Sequence, residues 1–368
     1  MPVTLKDIAE KTGVSASVVS TVLSGRDNGT FVSESTRKKV REMAEALHYT
    51  PVRSGRPRGS RRLRKLRTEH FIGIWDPEHS SSSAFLIQSL QFALREYAKA
   101  HGADTEDDFG LRLLTAEDLP RLDVIGLMGM ISLSSSLLPR EAAMAGIPHV
   151  MIGETDNAPR EMVQVHLDSA AAGRMLGDYL WELGHRRAVL LAPGTTPRLT
   201  RERLSGLKSA WAAQGENDEA VTHLAYDTLK TLEERDQIRW AVGKLFGPDA
   251  PPSARPTALI CQDENVAAVS AQTLAATGLA VPGAVSLAGF GDTPRLAEAL
   301  TPPLTVIRSP VIQIAQAAVA ALYRLHDANP DGPDAEEAEL EPAEPLEADI
   351  CLPGRLVVRA SCAAPALK

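Results

Sequence analysis

Beyond Phe71 the chain alternates short apolar runs with longer amphipathic stretches, and no other feature restricts its fold so strongly. FIGIW, GLRLL, VIGLMGM and HVMIG form one series, with a helical pattern from Phe85 to His101 after the first run. AVLLAP, THLAY, ALIC and VSLAGF form a second, spaced by helical patterns at Ser169 to Leu183, near Arg201 to Gln214, around Leu232 to Phe246 and onward to Thr277. Continuous apolar strands joined by helices require parallel sheets covered on both faces; a half-exposed sheet would show apolar and polar residues in alternation. Two series predict an α/β body of two doubly wound parallel-sheet lobes. Between GLRLL and VIGLMG too few residues remain for a full crossover helix of ~10–12 residues plus turns, so TAEDLPRL is expected to replace it. A helix from Val311 to Leu325, with Val311, Ile314, Ala318, Leu322 and Leu325 on one face, is expected to return to the first lobe.

The first fifty residues follow a different pattern. Thr4 and Asp7 fit a capping box, and Leu5, Ile8 and Ala9 give a short helix its apolar side. Gly13 breaks that helix, and Ser15 can cap a second whose Val18, Val19 and Val22 face inward, leaving Ala16, Ser17, Ser20 and Thr21 outside. Two short helices across a glycine-containing turn make a helix-turn-helix, whose second helix is the one that enters the major groove of DNA. Ser33 can cap a third helix in which Val40, Met43, Ala44 and Leu47 close a small core and Arg37, Lys38, Lys39 and Arg41 stay outside. An all-α helix-turn-helix head therefore precedes the α/β body.

Charge supports the same division. Residues 1–67 hold 15 Lys/Arg against 6 Asp/Glu, while the remainder holds 24 against 41, within a chain of net charge -8. A basic end on an acidic body suits a polyanionic partner for the first part only. The densest basic run is VRSGRPRGSRRLRKLR, Val52 to Arg67, with eight Lys/Arg and no acid.

VTLKDIAEKTGVSASVVSTVLSG, VSESTRKKVREMAEALHYTP, ELGHRR and VPGAVSLAGF together resemble the lac repressor family of bacterial transcriptional regulators, over nearly the whole chain and most strongly over 3–51 and 166–312. The resemblance implies a body of the periplasmic-binding-protein type I kind, with three chain crossings between lobes, near 160–166, 292–296 and 327–350. It also implies a double-stranded DNA operator as partner, a small-molecule effector (a carbohydrate or other metabolite) between the lobes, a homodimer, and a cytoplasmic, nucleoid-associated location. Carried over by position, Ala16, Ser17 and Thr21 would face base edges, Thr4, Ser15, Ser20, Ser24, Ser33 and Thr36 would meet phosphates, and Leu5, Tyr49 and Arg53 belong to the same interface. Thr21 departs from the arginine that many members carry, which removes a bidentate guanine contact of about 1–3 kcal/mol. The loop RDNGTF is longer than the usual form.

The family usually folds the segment after Pro51 into a hinge helix on the operator. Here Gly55, Pro57 and Gly59 oppose a helix. Gly55-Arg56-Pro57-Arg58-Gly59 instead resembles an AT-hook, an extended element whose Arg56 and Arg58 would lie in a narrow A/T-rich minor groove. The other reading is a purely electrostatic tether. Asp327 to Asp349 carries ten acids and no basic residue and is expected to be a disordered insertion, either simply solvated or competing with DNA for the basic arm.

Ligands of parallel sheets sit at the carboxyl ends of strands, which nominates Trp75, Asp76 and Ser82 in the first lobe, the last within a Ser80–Ser83 run that also reads as a plain loop. Arg203 aligns with an arginine that many members point at the effector, a surface salt bridge being the alternative. Asp263 belongs to a CQDENV motif in which Gln262 replaces the family's asparagine, and Asp292 remains of an aspartate pair whose first member is Gly291. The missing aspartate weakens a sugar assignment. No P-loop, nucleophile elbow or HExxH occurs, and His48, His166 and His185 have no recognisable partners, so neither an enzyme nor a cofactor or metal is expected. Cys261, Cys351 and Cys362 read as reduced and structural. The opening MPVTLKDIAEK lacks a signal-type apolar core, and no window approaches the ~20 apolar residues of a membrane span.

The expected domains are a head at 1–51, a basic linker at 52–69, and a body at 70–368. Within the body, lobe 1 is expected at about 70–162 and 295–327, lobe 2 at about 163–294 and 350–362, and the acidic insertion at 327–349. An architectural DNA-binding protein with an effector-independent body and a transporter's solute-binding protein are the competing readings.

Overall fold

The computed structural model describes residues 5–15, 18–19, 22, 33–46, 70–77, 81–101, 109–125, 127–133, 146–159, 162–194, 198–217, 219–226, 233–247, 249–251, 255–291, 296–327 and 347–366. They divide into two compact units, Met1–Leu63 and Arg64–Lys368. The basic linker and residues 328–346 of the acidic insertion lie outside the described residues.

In the first unit, α1 (Leu5–Thr12) ends where Thr12 Oγ1 donates to the Ile8 carbonyl at 2.6 Å and the amides of Gly13 and Val14 donate to that of Ala9. Gly13 takes φ +71°, a conformation that a side chain would strain, and so turns the chain toward the second helix. There Val18, Val19 and Val22 are helical, and α2 (Glu34–Ala46) supplies Val40, Met43 and Ala44. Ile8, Val19 and Val40 are fully buried together, giving the three-helix core expected from their spacing.

The second unit holds two six-stranded sheets. The first joins β1 (His70–Trp75), β2 (Phe109–Leu114), β3 (Gly129–Ser132), β4 (His149–Ile152), β5 (Val163–Leu167) and β11 (Asp349–Leu352) in the order β11-β5-β4-β3-β1-β2, all parallel. The second joins β6 (Ala188–Ala192), β7 (Val221–Ala225), β8 (Ala258–Cys261), β9 (Ser286–Phe290), β10 (Thr305–Arg308) and β12 (Arg355–Val357) in the order β12-β10-β9-β8-β6-β7, parallel but for β12. Every residue of β3, β4, β5, β6, β8 and β9 is buried; β6 (AVLLA) and β8 (ALIC) accordingly read as unbroken apolar runs, whereas β5 (VQVHL) also buries Gln164 and His166.

Helices cover the sheets in a fixed pattern. The longer ones are α3 (Ser81–Ala100), α4 (Ser169–Glu182), α5 (Arg198–Ala212), α6 (Glu234–Phe246), α7 (Glu264–Ala276) and α8 (Val311–Asp327). α3 and α8 pack on one face of the first sheet through Leu90, Leu94, Ile314, Ala318 and Leu322, so the last long helix does return to the first lobe. Trp75, Leu114, Leu122 and Met130 fill the opposite face, where a single turn at Leu122–Ile125 stands in for the missing crossover helix. In the second lobe α4 and α5 bury Leu176, Leu207 and Trp211, while α6 and α7 bury Val242, Phe246, Val266 and Leu274. Among the described residues no helix is long and apolar enough to cross a membrane.

Several boundaries differ from those expected. The VIGLMGM run is helical at its start and a strand only from Gly129, since Leu122 and Ile125 pack under β1 and β3 as a turn of helix. The crossings fall later than placed. β5 belongs whole to the first sheet, so the first crossing is at Asp168 rather than 160–166. β10 pairs with β9 in the second sheet, moving the next to Ser309–Pro310 and leaving 295–308 in lobe 2. Asp349–Leu352 pairs with β5 and so belongs to lobe 1, with the last crossing at Pro353–Gly354. In each case the strand completes its ladder before the chain leaves, because its backbone donors and acceptors would otherwise be left without partners.

α4 and α5 are pressed together more closely than any side chain allows. A Cβ on Gly173 would lie 2.2 Å from the Arg203 carbonyl oxygen, and one on Gly206 2.1 Å from that of Ala170. Gly206→Ala is therefore expected to lower the body's stability by about 1–3 kcal/mol, measured as a lower denaturant midpoint with an unchanged slope. A midpoint equal to wild type would show that the contact relaxes freely.

Candidate functional sites

In the head, Ser15 is exposed and its Oγ accepts from the Val18 amide at 3.3 Å, capping the second helix. Ser33 Oγ likewise accepts from the Thr36 amide at 3.3 Å and lies 2.8 Å from Thr36 Oγ1, at the start of α2. These hydroxyls thus hold the helix starts in place, and the first turn of each helix presents backbone amides with a partial positive charge suited to phosphate. Leu5 opens α1. Thr4, Ala16, Ser17, Ser20, Thr21, Ser24, Tyr49, Arg53, Arg56 and Arg58 lie outside the described residues.

In the body, the carboxyl ends of the strands gather a buried polar group. Arg203, on α5, is 8% exposed; its Nη1 donates to the Gln262 carbonyl at 2.8 Å and its guanidinium lies 4.1 Å from the centre of the Phe290 ring. Burial pulls its pKa down to about 10, opposed by Glu154, Asp263 and Glu264, so it stays cationic at neutral pH. Arg203 is therefore buried rather than part of a surface salt bridge. Asp263 accepts from the amides of Asn265 and Val266 at 2.8 and 2.9 Å as the cap of α7, and burial raises its pKa. Trp75 and Asp76 are both buried at the end of β1, the tryptophan packed against Leu114 and Met130. Ser82 lies in the first turn of α3, and Asp292 lies outside the described residues.

The structure adds a cluster that no local pattern announced. Glu154, just beyond β4, accepts from Ser169 Oγ at 2.7 Å, and its Oε2 stands 3.6 Å from both His166 Nδ1 and Arg198 Nε. Arg198 binds Glu202 and Asp349 at 2.7 Å each, and His166 Nε2 meets Asp349. Glu154, His166 and Asp349 belong to the first lobe, Ser169, Arg198 and Glu202 to the second, so the cluster bridges the two. Burial raises Glu154 to about 7 against the opposing pull of Ser169 and His166. Burial would also raise Asp349, but hydrogen bonds from His166 and Arg198 outweigh it and hold its carboxyl below the usual range. His166 thus has partners after all, as has His185, whose ring nitrogens face Thr257 Oγ1 at 2.9 Å and Ser286 Oγ at 3.0 Å. Asp349, counted with the acidic insertion, is a strand residue. Of the cysteines, Cys261 is buried with its thiol pushed up to about 12, whereas Cys351 is exposed beside His166, so the structural reading fits the first and not the second. Three buried atoms here, Glu154 Oε2, Arg203 Nε and Gln262 Oε1, have no hydrogen-bond partner among the described residues.

Residues 4–52 match the family described as bacterial regulatory proteins, lacI family, and residues 178–362 match the periplasmic binding protein-like domain. The chain is 26% identical over 324 residues to the HTH-type transcriptional repressor PurR of Aliivibrio fischeri strain MJ11, covering 83% of this chain and 87% of that one. In fold it is similar to the transcriptional regulator CelR solved with cellobiose, at TM-score 0.60 and 23% identity over 98% of this chain and 99% of the other. It is also similar to the lac repressor dimer bound to operator and an anti-inducer, at TM-score 0.57 and 21% identity over 99% and 100%.

The elevated pKa of Glu154 carries a sign. Its ordinary value is 4.5 and its folded value about 7, so between these the folded state holds the proton more tightly and stability falls as pH rises. Glu154→Gln should therefore flatten the decline in unfolding free energy between pH 5 and 7. Parallel wild-type and variant profiles across that window would show that the carboxyl is not perturbed.

Proposed function

Since the chain belongs to the lacI family of bacterial regulatory proteins, we propose that its head reads an operator half-site while a small polar effector binds between the lobes of its body. It is a DNA-binding transcriptional regulator of the repressor type, with an effector-binding domain. The observation that carries the effector reading is the buried guanidinium of Arg203 beside Gln262. Burying a permanent cation with an unmatched Nε–H is costly unless a bound partner completes it. Gln262 Oε1 offers an acceptor and Arg203 Nε a donor, so the matching ligand presents hydroxyl or other hydrogen-bonding groups at that end. Asp263 is less suited to a ligand because its carboxylate already caps α7.

Ser15, Ser33 and Thr36 support a phosphate-contacting role by their places at helix starts. Thr21, Ala16 and Ser17 are assigned to base edges by their position alone. The basic arm is assigned to the minor groove, with Arg56 and Arg58 flanking Pro57.

Self-association would supply the second half-site, since a symmetric dimer reads two half-sites about one helical turn apart. The exposed apolar side chains that fit such an interface are Phe92 on α3, 51% exposed, and Leu113 on β2, 62% exposed. Leu113 pairs with Ile74, whose side chain enters the core beneath α3, so both residues lie on the same flank of the first lobe.

Selection of bound DNA from a random pool by the full chain at near-physiological salt, where nonspecific phosphate binding fades, tests the reading. A two-fold motif with an A/T-rich centre is expected; a motif without two-fold symmetry would remove the dimeric-operator reading. Arg56→Ala with Arg58→Ala should weaken binding about tenfold on A/T-rich centres and less on G/C-rich ones. Equal losses on both would leave only an electrostatic tether. Leu113→Asp is expected to shift sedimentation from dimer to monomer at micromolar protein, and an unchanged dimer would place the interface elsewhere.

A further inference from the structure

Where β5 and β11 leave the first lobe, three side chains of metal-binding type meet on one face. His166 and Cys351 are register partners across the parallel pair, and Asp349 precedes Cys351 by two residues on the same strand. Strand periodicity turns all three to one side, while Val165, Ile350 and Leu352 turn into the lobe core. His166 Nε2, a carboxylate oxygen of Asp349 and Cys351 Sγ lie within 4.8 Å of one another, with Sγ 3.6 Å from Nε2.

The surrounding bonds already orient these groups. His166 Nδ1–H donates to the Leu167 carbonyl at 2.8 Å, which leaves Nε2 as the ring nitrogen facing Asp349 and Cys351. Arg198 Nη2 donates to Asp349 Oδ2 at 2.7 Å, so the guanidinium engages one carboxylate oxygen and the other, Oδ1, faces His166.

We propose that His166 Nε2, Asp349 Oδ1 and Cys351 Sγ form a binding site for a divalent transition-metal ion of the zinc type, with solvent in the fourth position. Neutral imidazole, carboxylate and thiolate neutralise a divalent cation, and the mixed nitrogen, oxygen and sulfur set selects against magnesium and calcium. Burial and the nearby Asp349 and Asp168 carboxylates raise the Cys351 thiol, so it is protonated until the ion arrives. Binding then forms the metal–sulfur bond and releases the thiol proton to solvent, together with any proton shared by His166 and Asp349. No oxidant or reductant is involved.

The place of the site gives it a consequence. β5 runs directly into the crossing at Asp168 and β11 into that at Pro353–Gly354, and the Asp168 amide donates to the Leu352 carbonyl at 2.8 Å. A metal ion would tie these two strands just before they enter the second lobe and would share Asp349 with Arg198 from that lobe. Its occupancy would thus act on the lobe angle, and the site stands whether or not the effector reading does.

Cobalt(II) titrated into the chelator-stripped full-length protein, followed by displacement with zinc, provides the test. One equivalent per chain should bring up a near-ultraviolet sulfur-to-cobalt charge-transfer band that zinc abolishes. Cys351→Ser should remove the band and weaken zinc binding at least about 100-fold, Cys362→Ser should leave both unchanged, and Arg198→Gln should weaken binding about tenfold through its bond to Asp349. Because His166 is buried, its variant His166→Gln is paired with the exposed Cys351 variant, whose metal-free unfolding midpoint is expected to match wild type. No band at one equivalent, or a band that survives Cys351→Ser, would overturn the proposal.

Discussion

The body of this protein depends on a charge cluster spanning the junction of its lobes. Arg198 reaches from α5 to Asp349 on β11 and approaches Glu154, whose other oxygen accepts from Ser169 at the start of α4. Glu154 is almost fully buried and depends on its partners staying in place, whereas the Arg198–Asp349 pair, 20% and 36% exposed, is partly screened by solvent. Because the partners come from different lobes, the cluster is sensitive to any change in lobe angle. The buried Arg203 lies on the same helix, five residues beyond Arg198, so the residue proposed to meet the effector and the junction share one rigid element.

That arrangement follows from the packing around α5. Gly173 and Gly206 let α4 and α5 approach to the point where backbone touches backbone, and Trp211 Nε1 donates to the Gly177 carbonyl at 2.9 Å to fix the pair. A ligand shifts such a two-lobed body only by as much as it prefers one lobe angle over another. Groups lodged on a helix that is locked to its neighbour transmit that preference with little lost to local relaxation.

Much of the fold was legible because it is local. Unbroken apolar runs gave the parallel strands, and Ile8, Val19 and Val40 were visible as a three-helix core from helical spacing alone. What was not legible is what depends on distant pairing. Nothing in TVIR distinguishes an inner strand of the second lobe from the start of the first, so the second crossing was placed too early. Asp349 follows a long acidic stretch and looks like its last member; only its ladder with β5 makes it a partner of His166, 183 residues away. Glu154 carries no motif, and its role arises from Ser169 and Arg198 being folded over it. Arg203 was found through family resemblance, while its burial against Phe290 needed the fold.

The central claim is that a small molecule in the cleft controls operator binding. The most direct measurement is the affinity of the full chain for its selected operator across a panel of sugars, nucleobases and other polar metabolites, by fluorescence anisotropy, for wild type and Arg203→Met. The account predicts that at least one compound changes wild-type operator affinity about tenfold or more, and that the variant keeps its compound-free affinity but loses the response. A response that survives intact in Arg203→Met, or operator binding indifferent to every compound, would contradict it.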